Sequence, residues 1–441
     1  MTEERRAVEA VWRMESARIV GALARYTGDF SLAEDLAQEA LAEALVGWAT
    51  AGIPDQPVNW LLAVGRRRAI DAFRRRAAAD ERYALLARDL EPGHRSSTGV
   101  GTGVTGRDAA GTGTGLGTLA GPDLLFDPDA IDDDVLALMF TACHPVLSKE
   151  ARIALTLRVV GGLTTDEIAK AFLVPVATVQ ARITRAKKTL AAAHVPFAVP
   201  EPQERNARLG SVLTVIYLIF TEGSSATGGD AWMRVDLAHE ALRLTRVLVR
   251  LAPEPEVFAL LALLELTAAR FPARLDASGR PVLLDDQDRE RWDQAAIRRG
   301  RAALARAVAA RRGLGPYGLQ ASIAECHAVA GSVAETDWNR IVLLYEALGR
   351  VAPSPVVELN RAVAVTMASG ADVGPAAALR LVDDLDAGGT LAGSHLLPAV
   401  RAEILTRLGR HPEAREEYLR AASLCGNAAE RALLEQKAAH P

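Results

Sequence analysis

The sequence predicts an all-α protein. Apolar residues recur at helical spacing from Ala7 to about Arg82 and again from Asp132 to Leu190, and the chain after Pro202 is Ala- and Leu-rich with Pro at helix boundaries and no strand alternation. A length of 441 residues, 49% of them hydrophobic and 24% charged, supports more than one core. The net charge of -4 supplies no global basic field, so a nucleic-acid surface has to be a local concentration of Arg and Lys. Cys143, Cys326 and Cys425 lie far apart with no metal-ligand spacing, and no signal peptide or long apolar run is evident. A reducing, cytoplasmic setting without a membrane segment or a metal is expected.

The first helix carries Val8, Val11, Trp12, Ile19, Leu23 and Tyr26 on one face and breaks at Gly28-Asp29. A second runs from Ser31 to Trp48 with Glu34, Asp35, Gln38 and Glu39 on its polar side. That acidic face suits a basic partner, and a merely solvated helix face, the commoner case for such a charge row, is the other reading. Gly52 to Asn59 reads as a loop, with Pro57 placed to begin the next helix.

The third helix opens apolar at Trp60 and ends in two arginine triplets, Arg66-Arg67-Arg68 and Arg74-Arg75-Arg76, flanking Ile70 and Phe73. Guanidinium groups at that density repel one another and call for an anionic partner, which points to phosphate contact.

Between about Leu90 and Pro128 the composition changes to Gly, Thr and Val with few large apolar residues. Its Gly-x-Gly sequences lack the Gly-Lys-Ser/Thr ending, the preceding strand and the following helix of a phosphate loop, so a flexible tether is expected. About thirty such residues span roughly 100 Å at full stretch, about three turns of duplex DNA. Two basic surfaces joined by it can sit on separate DNA elements.

A further helical group begins at Asp132 and passes through Leu138, Met139 and Phe140 to Cys143-His144-Pro145, where the adjacent Cys and His read as packing and turn residues. Leu147 to Val160 is helical and Gly161-Gly162 ends it. Thr164 or Thr165 then caps a short helix, with Glu167 at capping-box distance and Ile168, Ala169 and Phe172 facing inward. Pro175 breaks it, and Thr178 to Leu190 restart with Val179, Ile183 and Ala186 on the inner stripe. Thr178, Gln180, Arg182, Arg185, Lys187 and Lys188 supply the second helix with cations for phosphates and guanines and an amide for adenine. A helix-turn-helix with its recognition helix in a major groove is one reading; an amphipathic hairpin with a solvated basic face is the other.

The order Glu34-Asp35-Leu36-Ala37-Gln38-Glu39-Ala40, Trp60-Leu61, Arg66-Arg67-Arg68-Ala69-Ile70-Asp71 and Arg74-Arg75-Arg76 resembles region 2 of the extracytoplasmic-function group of sigma-70 family factors. Phe140 to Leu147, Leu155 to Arg158, Gly161 to Ala169 and Arg185-Ala186-Lys187 resemble region 4 of the same group. The resemblance implies binding of core RNA polymerase and promoter DNA, with no chemistry of the chain's own and no cofactor. It implies that Asp35, Gln38 and Glu39 face the polymerase, and that Arg66, Arg67, Arg68, Arg74, Arg75 and Arg76 hold the melted promoter element. Gln56 and Asn59 would line a pocket for an unstacked base, and the helix from Thr178 to Lys188 would read the upstream element. Arg67 stands where many members carry Asn.

The chain continues well past the end of region 4. Ile404 to Leu424 has the Leu-Gly, Glu-Ala, Tyr and Ala spacing of a tetratricopeptide repeat, with weaker copies upstream, so a stacked helical array is expected. Stretches around Tyr217 to Gly223, Arg270 to Arg274 and Gly315 to Ile323, with Thr336 to Trp338, resemble the extension of a sigma-factor subgroup with a tetratricopeptide-like tail. Glu222, Arg270, Tyr317, Gln320, His327, Asp337, Trp338 and Asn360 there set polar groups in apolar surroundings. A pocket for a ligand or peptide and ordinary capping with buried hydrogen bonding both fit. No nucleophile, metal set or cofactor fingerprint accompanies His327, Asp337 and Glu222, so an enzyme is not expected.

The expected organisation is region 2 over residues 1–85, the Gly-rich linker over 86–130, region 4 over 131–195 and the helical-repeat extension over 200–441. The competing reading is a helix-turn-helix regulator with a repeat-type sensor domain that acts without forming holoenzyme. It has no need of the acidic face or of the arginine helix.

Overall fold

The computed structural model describes residues 3–90, 131–172, 174–226, 232–277, 279–368 and 374–440. Most of the expected linker, residues 91–130, lies outside the described residues. Those described form two compact units, the first taking in residues up to Thr164 and Gln180–Arg208, the second Thr165–Val179 and those from Leu209 on. Among the described residues every named element is helical, and the one β-bridge is the isolated pair Leu275 and Pro281. The expected all-α class holds.

The first unit begins with α1 (Glu3–Thr27), α2 (Phe30–Ala51) and α3 (Pro57–Leu90), which pack on one another. Gly28, at φ 65°, turns the chain out of α1, and the Asp29 carboxylate accepts from Leu32 N at 3.1 Å to start α2. Trp12, Ile19, Leu23, Leu36, Ala40, Trp48 and Leu61 are buried, and the Trp48 and Trp60 rings meet edge to face at 5.7 Å. Pro57 opens α3 as its sequence position suggests, and α3 runs on to Leu90, past the expected start of the linker.

Next in the chain come α4 (Ile131–Ala142) and α5 (Lys149–Val159), the latter capped by Ser148. Every residue from Asp134 to Cys143 is buried. A helix enclosed on all faces needs cover on all faces, and α4 finds it partly against α1. Gly21 makes the approach possible, since a Cβ there would sit 3.0 Å from Asp134 Cβ and 3.1 Å from its carbonyl oxygen. Beside it, Arg25 Nε donates to both carboxylate oxygens of Asp134 at 3.0 Å. The sequence suggests two bodies free to separate along a tether; in the structure the helices on either side of residues 91–130 share one packed unit.

Helices α6 (Thr165–Phe172) and α7 (Val176–Ala192) follow. Along α7, Val179, Ile183, Ala186 and Leu190 are buried at spacings of three and four, the inner stripe expected from the sequence.

The extension comprises α8 (Pro202–Ser224), α9 (Val235–Leu251), α10 (Pro255–Ala268), α11 (Gln294–Ala309), α12 (Pro316–Val329), α13 (Trp338–Val351), α14 (Pro355–Met367), α15 (Pro375–Ala387), α16 (Leu396–Arg407), α17 (His411–Leu424) and α18 (Ala428–Ala439). Proline occupies an opening position of α10, α12, α14, α15 and α17, where its missing N–H is not needed. From α12 onward each helix packs on the next, the nearest-neighbour contact pattern of a repeat array. The 25-residue connection from Ala269 to Asp293 interrupts it with three short 3-10 turns.

Candidate functional site

On α3 the arginines divide by environment. Arg74, Arg75 and Arg76 are exposed, as are Arg67 and Arg68, whereas Arg66 is half-buried. Glu43 of α2 takes Arg67 Nη2 at 2.5 Å and Arg68 Nη2 at 2.9 Å, and Glu39 lies 3.7 Å from Arg68. The Arg68 hydrogen bond leads the causes that hold the Glu43 carboxyl below the usual carboxylate range. The first arginine triplet is thus partly neutralised within the unit, while the second stands in solvent. Gln56 and Asn59 are both exposed, and the Asn59 amide donates to the Gln56 side-chain oxygen.

The acidic face of α2 is also divided. Asp35 and Glu39 are exposed and Gln38 half-buried, but Glu34 is only 4% exposed. Lys187 Nζ of α7 reaches Glu34 at 2.8 Å and Asp35 at 2.5 Å, and Arg158 of α5 lies 3.6 Å from Glu34. Burial opposes the Lys187 charge, and Glu34 and Asp35 outweigh it, so the ammonium pKa is raised. Arg158 and Glu43 carry no mark in the sequence that sets them in the site. Glu34, expected on the polar side of α2, turns inward instead, beside Ala33, Leu36 and Ala37.

The remaining α7 residues follow the helical period. Gln180, Arg185 and Lys188 are exposed; Thr178 and Arg182 are half-buried. The structure therefore brings Lys187 to Asp35, and leaves Gln180, Arg185 and Lys188 on the outer side of the helix.

In the extension, the polar residues singled out from the sequence fall into local groups. Tyr217 donates to Gln320 Oε1 at 3.1 Å and meets the Tyr317 ring edge-on at 5.5 Å; burial pushes the Tyr317 phenol up to about 12. Arg270 and Trp338 belong to a second group around His327, whose ring stands edge-on to Trp338 at 5.1 Å. Glu222 pairs with Arg234, Asp337 caps α13 by accepting from Arg340 N at 2.9 Å, and Asn360 is exposed on α14. Tyr317, Gln320, Ala324 and His327 recur along one stripe of α12, which is how that helix serves two of the groups.

Among the described residues His395, Cys425 and Glu430 bring ligand atoms within 4.8 Å of one another. Burial raises the Cys425 thiol pKa, its Sγ donates to Asn427 O at 3.5 Å, and His395 Nε2 pairs with Glu430 at 3.1 Å. These contacts account for all three without an ion. No described helix is long and apolar enough to cross a membrane.

Residues 12–79 match sigma-70 region 2 and residues 137–190 match sigma-70, region 4. Residues 208–308 match a family of unknown function, DUF6596, which covers the first part of the extension. An uncharacterized protein of Rhizobium meliloti (strain 1021) is 41% identical over 434 residues, 96% of this chain and 92% of that protein. No solved structure matches the chain. With both sigma regions in order on an all-helical scaffold, the chain belongs to the sigma-70 family, as a sigma factor of promoter recognition that carries a C-terminal helical extension.

Proposed function

We propose that the chain is an extracytoplasmic-function-type sigma factor that binds core RNA polymerase, directs it to a promoter set and opens the duplex there, with the extension modulating that activity in cis. Region 2 would dock through Asp35, Gln38 and Glu39 and hold the opened element with Arg66 to Arg68 and Arg74 to Arg76, Gln56 and Asn59 receiving an unstacked base. Region 4 would read the upstream element with Thr178, Gln180, Arg182, Arg185 and Lys188, Lys187 joining them once released from Asp35. This assigns the chain to the cytoplasm, where polymerase and promoter are.

The observation that carries this reading is that exposed Asp35 and Glu39 on α2 accompany the exposed arginines Arg74 to Arg76 on α3. A dimeric operator-binding regulator has no use for that acidic surface. A basic partner gains from it, and a protein that only grips DNA is repelled by it.

The test is reconstitution of the full chain with core RNA polymerase, read by co-elution and by initiation on a library of genomic promoters, with Asp35→Arg/Glu39→Arg as the control. Holoenzyme that initiates at a defined set of sequences, lost in the control, is the expected result. A chain that binds DNA but ignores polymerase overturns it in favour of the holoenzyme-independent regulator. Removing residues after Ala198 tests the extension: unchanged promoter output and regulation would sink its modulating role.

A further inference from the structure

Three arginines of the connection between α10 and α11 stand without a carboxylate in contact among the described residues. Arg270, Arg274 and Arg289 are each half-buried, and among the described residues none of them has a carboxylate within ion-pair distance. Their partners are neutral. Arg270 Nε donates to Gln287 Oε1 at 3.2 Å, Arg274 Nη1 to Ser224 O at 2.7 Å, and Arg289 Nη1 to the carbonyls of His327 and Ala330 at 2.6 and 2.7 Å. Glu335 and Asp285 act on Arg289 only from beyond contact, and both are exposed.

The arginines are also gathered around one ring. The Trp292 indole, 3% exposed, has the Arg289 guanidinium 4.6 Å and the Arg270 guanidinium 5.4 Å from its centre. In the same place three buried nitrogens find no hydrogen-bond partner among the described residues: Arg289 Nη2, Trp292 Nε1 and His327 Nδ1. Arg270 and Arg289 both act on His327, which ties its ring to the same field.

Carbonyl partners satisfy N–H groups without neutralising charge, and like charges held together in a poorly solvated place are costly. Unsatisfied buried donors add to that cost. The two observations ask for the same thing, an acceptor that is also an anion, and more than one guanidinium asks for more than one negative charge. Two arginines flanking a flat ring match the oxygens of a phosphate better than a point cation would.

We propose that Arg270, Arg289, Trp292 and His327 form a binding site in the extension for a doubly charged oxyanion, the phosphate group of a phosphorylated small molecule, with Arg274 adding to its field. Binding there joins the connection, from which the arginines and Trp292 come, to α12, from which His327 comes, and Trp338 of α13 meets that histidine edge-on. The site rests on the extension's geometry alone and stands or falls separately from promoter recognition.

The experiment is a titration of the purified full chain with inorganic phosphate, pyrophosphate and glucose 6-phosphate at constant ionic strength up to about 10 mM, read by calorimetry and by thermal melting against chloride. Saturable heat and a rising melting temperature are expected with at least one phosphate compound. Arg270→Lys and Arg289→Lys keep the charge but lose the fork, and each is expected to weaken binding about tenfold, with the melting shift on adding phosphate read against the same variant in chloride. Arg280→Gln, an exposed arginine already paired with Asp276, is expected to leave binding unchanged. Absence of saturable binding to all three probes, or equal loss with Arg280→Gln, overturns the proposal. So does binding of duplex DNA that the Arg270 and Arg289 variants abolish while phosphate compounds have no effect.

Discussion

Lys187 Nζ stands 2.8 Å from Glu34 Oε2, and the two side chains are 13% and 6% exposed. One comes from the helix assigned to promoter reading and the other from the helix whose neighbouring acids are assigned to polymerase. Their contact lies inside one packed unit, where Arg158 is the only further described cation within ion-pair distance of Glu34. A buried pair is weak evidence of net stabilisation, but breaking one side of it is costly because the other charge stays behind.

Replacement Lys187→Met is therefore expected to destabilise the first unit by roughly 3 kcal/mol, since Glu34 keeps only the longer contact to Arg158. The double variant Lys187→Met/Glu34→Leu is expected to recover most of the loss. Urea unfolding of both variants beside the parent chain checks this. Equal losses in the single and double variants would refute the pairing as the cause.

Gly21→Val is expected to unseat α4 from α1. The added side chain would start from a Cβ already 3.0 to 3.2 Å from Asp134, in part from its backbone, which cannot swing aside. A loss of about 1–3 kcal/mol is expected, together with faster amide exchange along Val135–Cys143. Unchanged exchange there would show that α4 does not depend on the close approach.

The exposed triplet on α3 predicts a salt effect rather than a stability effect. Arg74→Ala/Arg75→Ala is expected to lower the slope of log affinity against log salt for promoter DNA by about 2. Melting temperature should stay within about a degree, because the side chains are exposed. Fluorescence anisotropy across a salt series, with holoenzyme, measures the slope.

His327 makes the extension acid-sensitive. Burial, then Arg270 and Arg289, depress its imidazole to about 4, and the Trp338 ring stands beside it. A depressed histidine favours folding while neutral, so its contribution is complete above the unfolded value near 6.5 and is lost as pH falls towards 4. The loss is about 3 kcal/mol over that window, and His327→Phe is expected to flatten it. Stability measured from pH 7 to pH 4 on the two chains decides. A saturating phosphate ligand is expected to raise the histidine pKa, which a two-dimensional NMR titration follows.

Local patterns along the chain determined most of the architecture. The period of Val179, Ile183 and Ala186, the turn at Gly28-Asp29, the proline starts of α3, α12 and α17 and the density of arginine on α3 all act within a few residues of themselves, so the sequence alone placed these helices, the helix-turn-helix and the exposed arginines Arg74 to Arg76. Tertiary structure decided what distance along the chain conceals. Lys187 reads as one more cation on a recognition helix until its partner, 153 residues away, is seen at 2.8 Å. Arg270 reads as one polar residue among eight until Arg289 and Trp292 gather round it, and Asn360 as another of the eight until α14 leaves it exposed. Helical period tells which way a side chain points, while pairing between buried charges depends on which helices meet, and that depends on packing between residues far apart in the chain, as where Gly21 lets α4 approach α1.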